Sequence, residues 1–452
     1  MSPRIRHTIT ALFLIGFVVT APIVVLVTKG YGYNWHKGRL EKTGIIKLDS
    51  VPAGAKIYLN GVMQPKTTPN SLFRLLPEDY EISLSKTGYL PWTKTLRVKS
   101  GETTFVEDVI LLKDTVPELL EAGDIAASTF SADGQETALL RRSPNWLELA
   151  VYRRKTGSSD LLARFELEKY SDSELHWSPN GDRLLLRADL ADDGAELYLY
   201  PTASAEESKA LHQVLPQDGR LTARWSTDGT MISAVTDRGV FTVDPESGAA
   251  TPLLLAQDID DAAIVGRDIY LTRTLTDGPT LEIMSVDHPG QPEKSAELPT
   301  GRYIFTDTNN NYLVLTDVKE TKSLLYDRRS GTVVDSFDAL HAAWEKPAGE
   351  GRLLLWNDFE IFIYDPSSKR TGLVTRVGAP LAGCAWHPAG ADVIYAAPEG
   401  LFSIELDDRD NHNVFNLARF KDIGAFFIDM TGKTLRFVGT AGNQPGIYER
   451  PL

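Results

Sequence analysis

The residues that could do chemistry are sparse and scattered. Eight histidines stand at positions 7, 36, 176, 212, 288, 341, 387 and 412, with no pair at ligand spacing and no His-Glu-x-x-His. A metal-assisted hydrolase needs such spacing to bring two imidazoles onto one ion. His176 and His387 each adjoin a tryptophan, Trp177 and Trp386, and so can approach a central channel, although a structural role is the expected one. Acidic residues cluster at Asp258/Asp260/Asp261, Asp189/Asp192/Asp193 and Asp407/Asp408/Asp410. None has the wrapping pattern of a calcium loop, and they read as solvated loop charge. Cys384, the one cysteine, lies in the apolar run 381–386 and reads as a buried strand thiol. No Gly-x-Ser-x-Gly elbow, phosphate loop or dinucleotide fingerprint is present. The expectation is therefore no enzyme and no catalytic, cofactor-binding or metal residue, with the binding residues unassigned.

The elements that would position any site begin with an apolar segment. Residues 8–28 run for 21 positions without a charge, which as a helix is about 31 Å, the thickness of a bilayer's hydrocarbon core. The run exceeds the h-region of a cleaved signal peptide and no small-x-small site follows before Lys29, so an uncleaved anchor is expected behind the tail 1–7. Pro22 is tolerable there as a kink. Orientation is not fixed by charge, because Arg4 and Arg6 oppose Lys29, Lys37, Arg39 and Lys42. Long domains translocate largely regardless of loop charge, so the large carboxy-terminal part is expected outside. In the juxtamembrane linker 29–43, Tyr31, Tyr33 and Trp35 would form an interfacial belt.

The 452 residues exceed one ordinary core, and 42% apolar against 24% charged residues is a globular balance. A net charge of −14 with no basic stripe disfavours nucleic acid. A single cysteine precludes an intramolecular disulfide and leaves the compartment open.

From Gly44 the pattern alternates. Segments 45–50, 55–59, 79–84, 92–98 and 105–112 read as strands, with Asn60-Gly61 as a tight hairpin turn, giving an antiparallel, sandwich-like domain over 44–113. Ser50-Val-Pro52-Ala-Gly54-Ala55-Lys-Ile-Tyr58-Leu-Asn60-Gly61, Thr68-Pro69 with Leu72, and Tyr80 through Tyr89 with Trp92 resemble the PEGA domain. Glu78 departs from that pattern, where glycine usually follows Pro77, and puts the turn geometry in question. The resemblance implies a surface-associated accessory module, in which Trp92 and the tyrosines serve core or interface before sugar binding.

Over 115–452 one signature recurs every 39 to 48 residues: an aromatic, a small or polar pair, a turn ending in glycine, then an apolar strand. Copies begin at Phe130, Trp177, Trp225, Trp344, Trp386 and Phe427, with degenerate ones near Val265-Gly266-Arg-Asp268 and at 305–310. Each unit holds about four short strands that cannot bury both faces alone, and a period of this length marks a β-propeller. The Trp-Ser-Pro-Asn-Gly turn resembles that of TolB-like and WD-repeat propellers. Eight signatures give eight blades as first choice and seven as runner-up. Residues 117–121, stranded before the first signature, are expected to complete the last blade.

The fold class is thus mainly β: a transmembrane helix, a PEGA-like domain and a propeller. What this architecture implies is a single-pass, membrane-anchored cell-surface protein of a bacterial envelope. Its propeller would bind a protein or glycan partner and its PEGA-like domain would act as spacer or envelope-binding module, without a small-molecule cofactor. A propeller lyase or glycosidase acting on envelope polysaccharide, and a purely structural envelope component, are the alternatives. Oligomeric state is not readable.

Overall fold

The computed structural model describes residues 3–203, 208–216, 219–288, 290–345 and 351–452, with backbone alone for 3–6. The chain divides into two compact units: Met1–Thr115 with Glu405–Asn413, and Val116–Ile404 with Val414–Leu452.

The first unit opens with α1, Pro3–Thr28, with Pro22 inside it. Its stretch His7–Thr28 is long and apolar enough to cross a membrane. Leu12, Phe13, Leu14 and Phe17 are all exposed, an apolar surface that fits a membrane anchor or a signal sequence. The segment expected to be a plain linker contains a hairpin, Tyr31–Asn34 paired with Arg39–Lys42. Glu41 ties it by accepting from Asn34 Nδ2 at 2.9 Å and Arg39 Nε at 2.8 Å, and those bonds hold its carboxyl down to about 2.

Two sheets then stack. One has the order Asn70–Leu75, Gly44–Val51, Thr103–Ile110; the other Val62–Thr67, Lys56–Leu59, Asp79–Ser85, Trp92–Arg97. Alternation along Gly44–Val51 buries Ile46 and Leu48, the inward set of a half-buried strand, and Ile57, Ile82, Leu84 and Trp92 of the other sheet are buried as well. Asn60 (φ 48°) and Gly61 (φ 77°) form the expected turn between Leu59 and Val62. At Glu78 the carbonyl accepts the Val98 N–H at 3.0 Å, so the turn closes around the residue that replaces glycine. One pairing departs from the antiparallel expectation: Gly44–Val51 runs parallel to Thr103–Ile110. These strands are the first and last of the sandwich, so a long crossover joins them and no hairpin constrains their direction.

In the second unit, the described residues form eight four-stranded antiparallel sheets. The first four begin with Asp124–Phe130, Tyr170–Trp177, Leu221–Trp225 and Ile259–Val265; the last four begin with Tyr303–Thr308, His341–Trp344, Gly383–Trp386 and Phe426–Ile428. The eighth sheet takes Glu118–Ala122 as its fourth strand, paired antiparallel with Gln444–Pro451. Gly446 makes this pairing possible, since a Cβ there would lie 2.3 Å from the Glu121 carbonyl oxygen. The opening strands of the first and second sheets neighbour one another, as do those of the third to sixth in succession and those of the first and eighth. Consecutive sheets also share their cores: Leu140, Leu149 and Val151 of the first pack with Leu175, Trp177 and Leu184 of the second. This is a β-propeller, in which each sheet buries a face it could not bury alone.

Candidate functional site

The recurrent signature is a joint between sheets. Its aromatic ends the opening strand, and where it is tryptophan the indole reaches back one sheet. Trp177 Nε1 donates to the Thr129 carbonyl at 3.0 Å, Trp225 Nε1 to that of His176 at 3.4 Å, and Trp386 Nε1 to that of Ala343 at 3.0 Å. Each acceptor is the residue just before the preceding signature's aromatic. The serine that follows is a turn lock: Ser178 Oγ accepts the Asp182 and Arg183 N–H groups at 3.1 Å, and Ser226 Oγ accepts that of Met231 at 3.0 Å. Glycines 134, 181, 229, 390 and 432 close the turns at φ of 65° to 75°. At the junction of first and last sheets, Phe130 stacks on Phe427 at 5.7 Å, and Gly134 leaves the space that Phe427 fills. The part of the sixth signature at 346–349 lies outside the described residues.

The fourth and fifth sheets carry the degenerate copies, and there carboxylates form the joint. Asp261 Oδ2 accepts the Phe305 N–H at 2.8 Å, and Asp307 Oδ2 accepts the Trp344 N–H at 3.2 Å. Asp260 and Asp261 are therefore not solvated loop charge. Both are buried on the strand Ile259–Val265, Asp260 paired with Arg302 Nε at 2.9 Å and Asp261 with Arg224 Nη2 at 3.2 Å. Asp258 forms a bidentate pair with Arg273 and Asp189 pairs with Arg187 at 2.6 Å, whereas Asp192, Asp193 and Asp408 are exposed as expected. Asp407 and Glu405 flank the buried Lys94 of the first unit, at 3.6 and 3.2 Å, and Glu405 accepts the Trp92 indole N–H at 3.0 Å. Trp92 is core there, with 1% of its surface exposed.

A cavity of about 440 Å³ opens among the opening strands of the second to fifth sheets. Arg220, Thr222 and Arg224 alternate along Leu221–Trp225 and the residue before it, so all three share one face. Arg220 donates to the carbonyls of Ile259, at 2.7 Å, and Asp260; burial, then the charge of Arg302, lowers its guanidinium pKa. Arg224 also donates to the Phe305 carbonyl at 2.6 Å. On the opposite wall Arg187 lies 3.3 Å from Glu174, whose carboxyl is held at about 2 by His176 first and Arg187 next. His176, half-exposed, is the histidine that does reach the cavity. His387 does not: it is buried, its Nε2–H donating to the Gly432 carbonyl at 3.0 Å while Nδ1 accepts the Ala389 N–H at 3.2 Å. Cys384 is buried too, which pushes its thiol pKa up. Among the described residues no group of three His, Cys, Asp or Glu is placed to hold a metal ion. The cavity residues escaped the sequence reading because the registers of opening strands were not assigned; the alternation Arg220-x-Thr222-x-Arg224 is the signal that could have found them.

Comparison with known proteins places the first unit. Residues 43–110 match the PEGA domain. The PEGA segment is the two-sheet sandwich described above, and Trp92 is part of its core. The propeller is similar to the C-terminal WD40 domain of Sif2, at 12% identity and a TM-score of 0.54 over 75% of this chain and 99% of that one. It is also similar to the Dos1 propeller, at 12% identity and a TM-score of 0.53 over 75% of this chain and 95% of that one. At this identity the likeness is one of fold. No curated protein sequence matches the chain.

Proposed function

We propose that this protein is a membrane-anchored interaction module, held by α1 with its carboxy-terminal part on the outer side of the membrane and binding a protein partner through its propeller. The PEGA sandwich acts as spacer or envelope-binding element. The observation that carries this reading is the cavity on the opening strands of a propeller whose chain begins with an exposed apolar helix. Binding is favoured over turnover because the buried carboxylates there are already engaged: Asp260 by Arg302 and Thr274, Asp261 by Arg224 and the Phe305 N–H. A glycosidase needs two carboxyl groups free to act on a scissile bond between them. Cell fractionation with protease added to intact cells tests the proposal. The full chain should stay with membranes through high salt, leave them only in detergent, and lose its carboxy-terminal part to the protease. A chain released by salt, or protected until cells are lysed, refutes it.

A further inference from the structure

Resting on that reading, we infer that the propeller cavity lined by Arg187, Arg220 and Arg224 is the recognition site, and that it takes a carboxylate presented by a peptide segment of the partner. Three guanidinium groups face Glu174, Asp260 and Asp261, and Asp260 is further matched by Arg302. Glu174 pairs with Arg187 and Asp261 with Arg224, so those charges are spoken for. Arg220 differs, because both of its hydrogen bonds go to main-chain carbonyls, which leave its positive charge unneutralised by direct contact. A second arginine, Arg224, stands four residues along on the same face, beyond Thr222, with its side chain 36% exposed. Its Nε and the Thr222 Oγ1 are without a hydrogen-bond partner among the described residues.

A planar monoanion suits this wall, since guanidinium forks match carboxylate geometry. Arg187 also pairs with Asp189, so with Arg302 counted four arginines meet four carboxylates, and the wall has room for at most one added negative charge, which a phosphate dianion would exceed. The remaining wall is aliphatic and aromatic, with Val235, Ile304 and Trp225. Trp177 is 9% exposed and packed into a core cluster, and the Trp225 indole N–H is engaged by the His176 carbonyl, which leaves neither indole N–H free for a sugar hydroxyl. A short aliphatic stem ending in a carboxylate, as on an aspartate or glutamate side chain, fits both parts of the wall.

The test uses the full chain in detergent micelles and saturation-transfer NMR with four probes: a blocked glycine pentapeptide carrying one aspartate, its asparagine counterpart, glucuronate and inorganic phosphate. The aspartate peptide should bind about tenfold or more tightly than the other three, as loss of a charge-assisted contact implies. Arg220→Gln should abolish that preference. Thr222→Glu, which sets a competing carboxylate on the same face between Arg220 and Arg224, should do so as well and carries the test if Arg220→Gln does not fold. Equal binding of both peptides, tighter binding of glucuronate or phosphate, or an aspartate preference that survives Thr222→Glu would overturn the inference. If a partner still cross-links to the propeller while these results fail, the cavity is wrong and the interaction module stands.

Discussion

The fourth and fifth sheets of the propeller solve the same packing problem as the other sheets with different chemistry. In the second, third and seventh, a large indole covers the neighbouring sheet and its N–H fixes the register to one carbonyl. In the fourth and fifth, Asp261 and Asp307 span the joint as acceptors, each taking a main-chain N–H of the next opening strand. The indole stabilises chiefly through buried area and tolerates loss of its hydrogen bond. A buried carboxylate contributes little by area, and everything it contributes depends on its partners being present. The Asp261 joint also borders the cavity, whose arginines 187, 220 and 224 come from the neighbouring second and third sheets.

That difference can be broken in graded steps, read by denaturant unfolding of the full chain in micelles. Trp386→Ala, which removes a nearly buried indole with Arg352 lying 4.9 Å over its ring, should cost most, roughly 4 kcal/mol. Asp261→Ala strands the Phe305 N–H and unpairs Arg224, and should cost about 3 kcal/mol, with Asp261→Asn recovering part through its amide oxygen. Trp177→Phe keeps most of the packing and loses one hydrogen bond, so about 1 kcal/mol is expected. If Asp261→Ala cost no more than Trp177→Phe, the carboxylate joint would be incidental.

The smallest effect is one of pH. Burial lowers the pKa of His387 below its ordinary 6.5, so the unfolded chain binds that proton more readily. Its contribution is complete above about pH 6.5 and declines as acid is added, finishing below the folded-state value. His387→Leu should flatten that part of the stability profile, measured as denaturation midpoint against pH from 7.5 to 5. An unchanged slope would mean that the imidazole is not held neutral between Gly432 and Ala389.

How much of this was legible in the chain follows from where the information resides. Trp177-Ser-Pro-Asn-Gly181 reports a joint because the aromatic, the hydroxyl and the glycine act locally and in fixed order. Asn60-Gly61 is legible for the same reason. The parallel pairing of Gly44–Val51 with Thr103–Ile110 is not, because nothing in either strand specifies the direction of a partner more than fifty residues away. Asp260 and Asp261 misled because their partners lie elsewhere in the chain, Arg302 just before the fifth sheet and Arg224 in the third, and an acidic cluster without its cations looks solvated. The cavity was invisible for a related reason: Arg220 and Arg224 face it only once the opening strands of four sheets are brought together.

The central claim is that the propeller is the interacting part of a tethered protein, and cross-linking with mass spectrometry on intact cells expressing the full chain tests it most directly. The account predicts that one recurrent partner protein cross-links to positions within 116–452 and that Thr222→Glu reduces its yield. Cross-links confined to 44–113, or none to any protein, would contradict it.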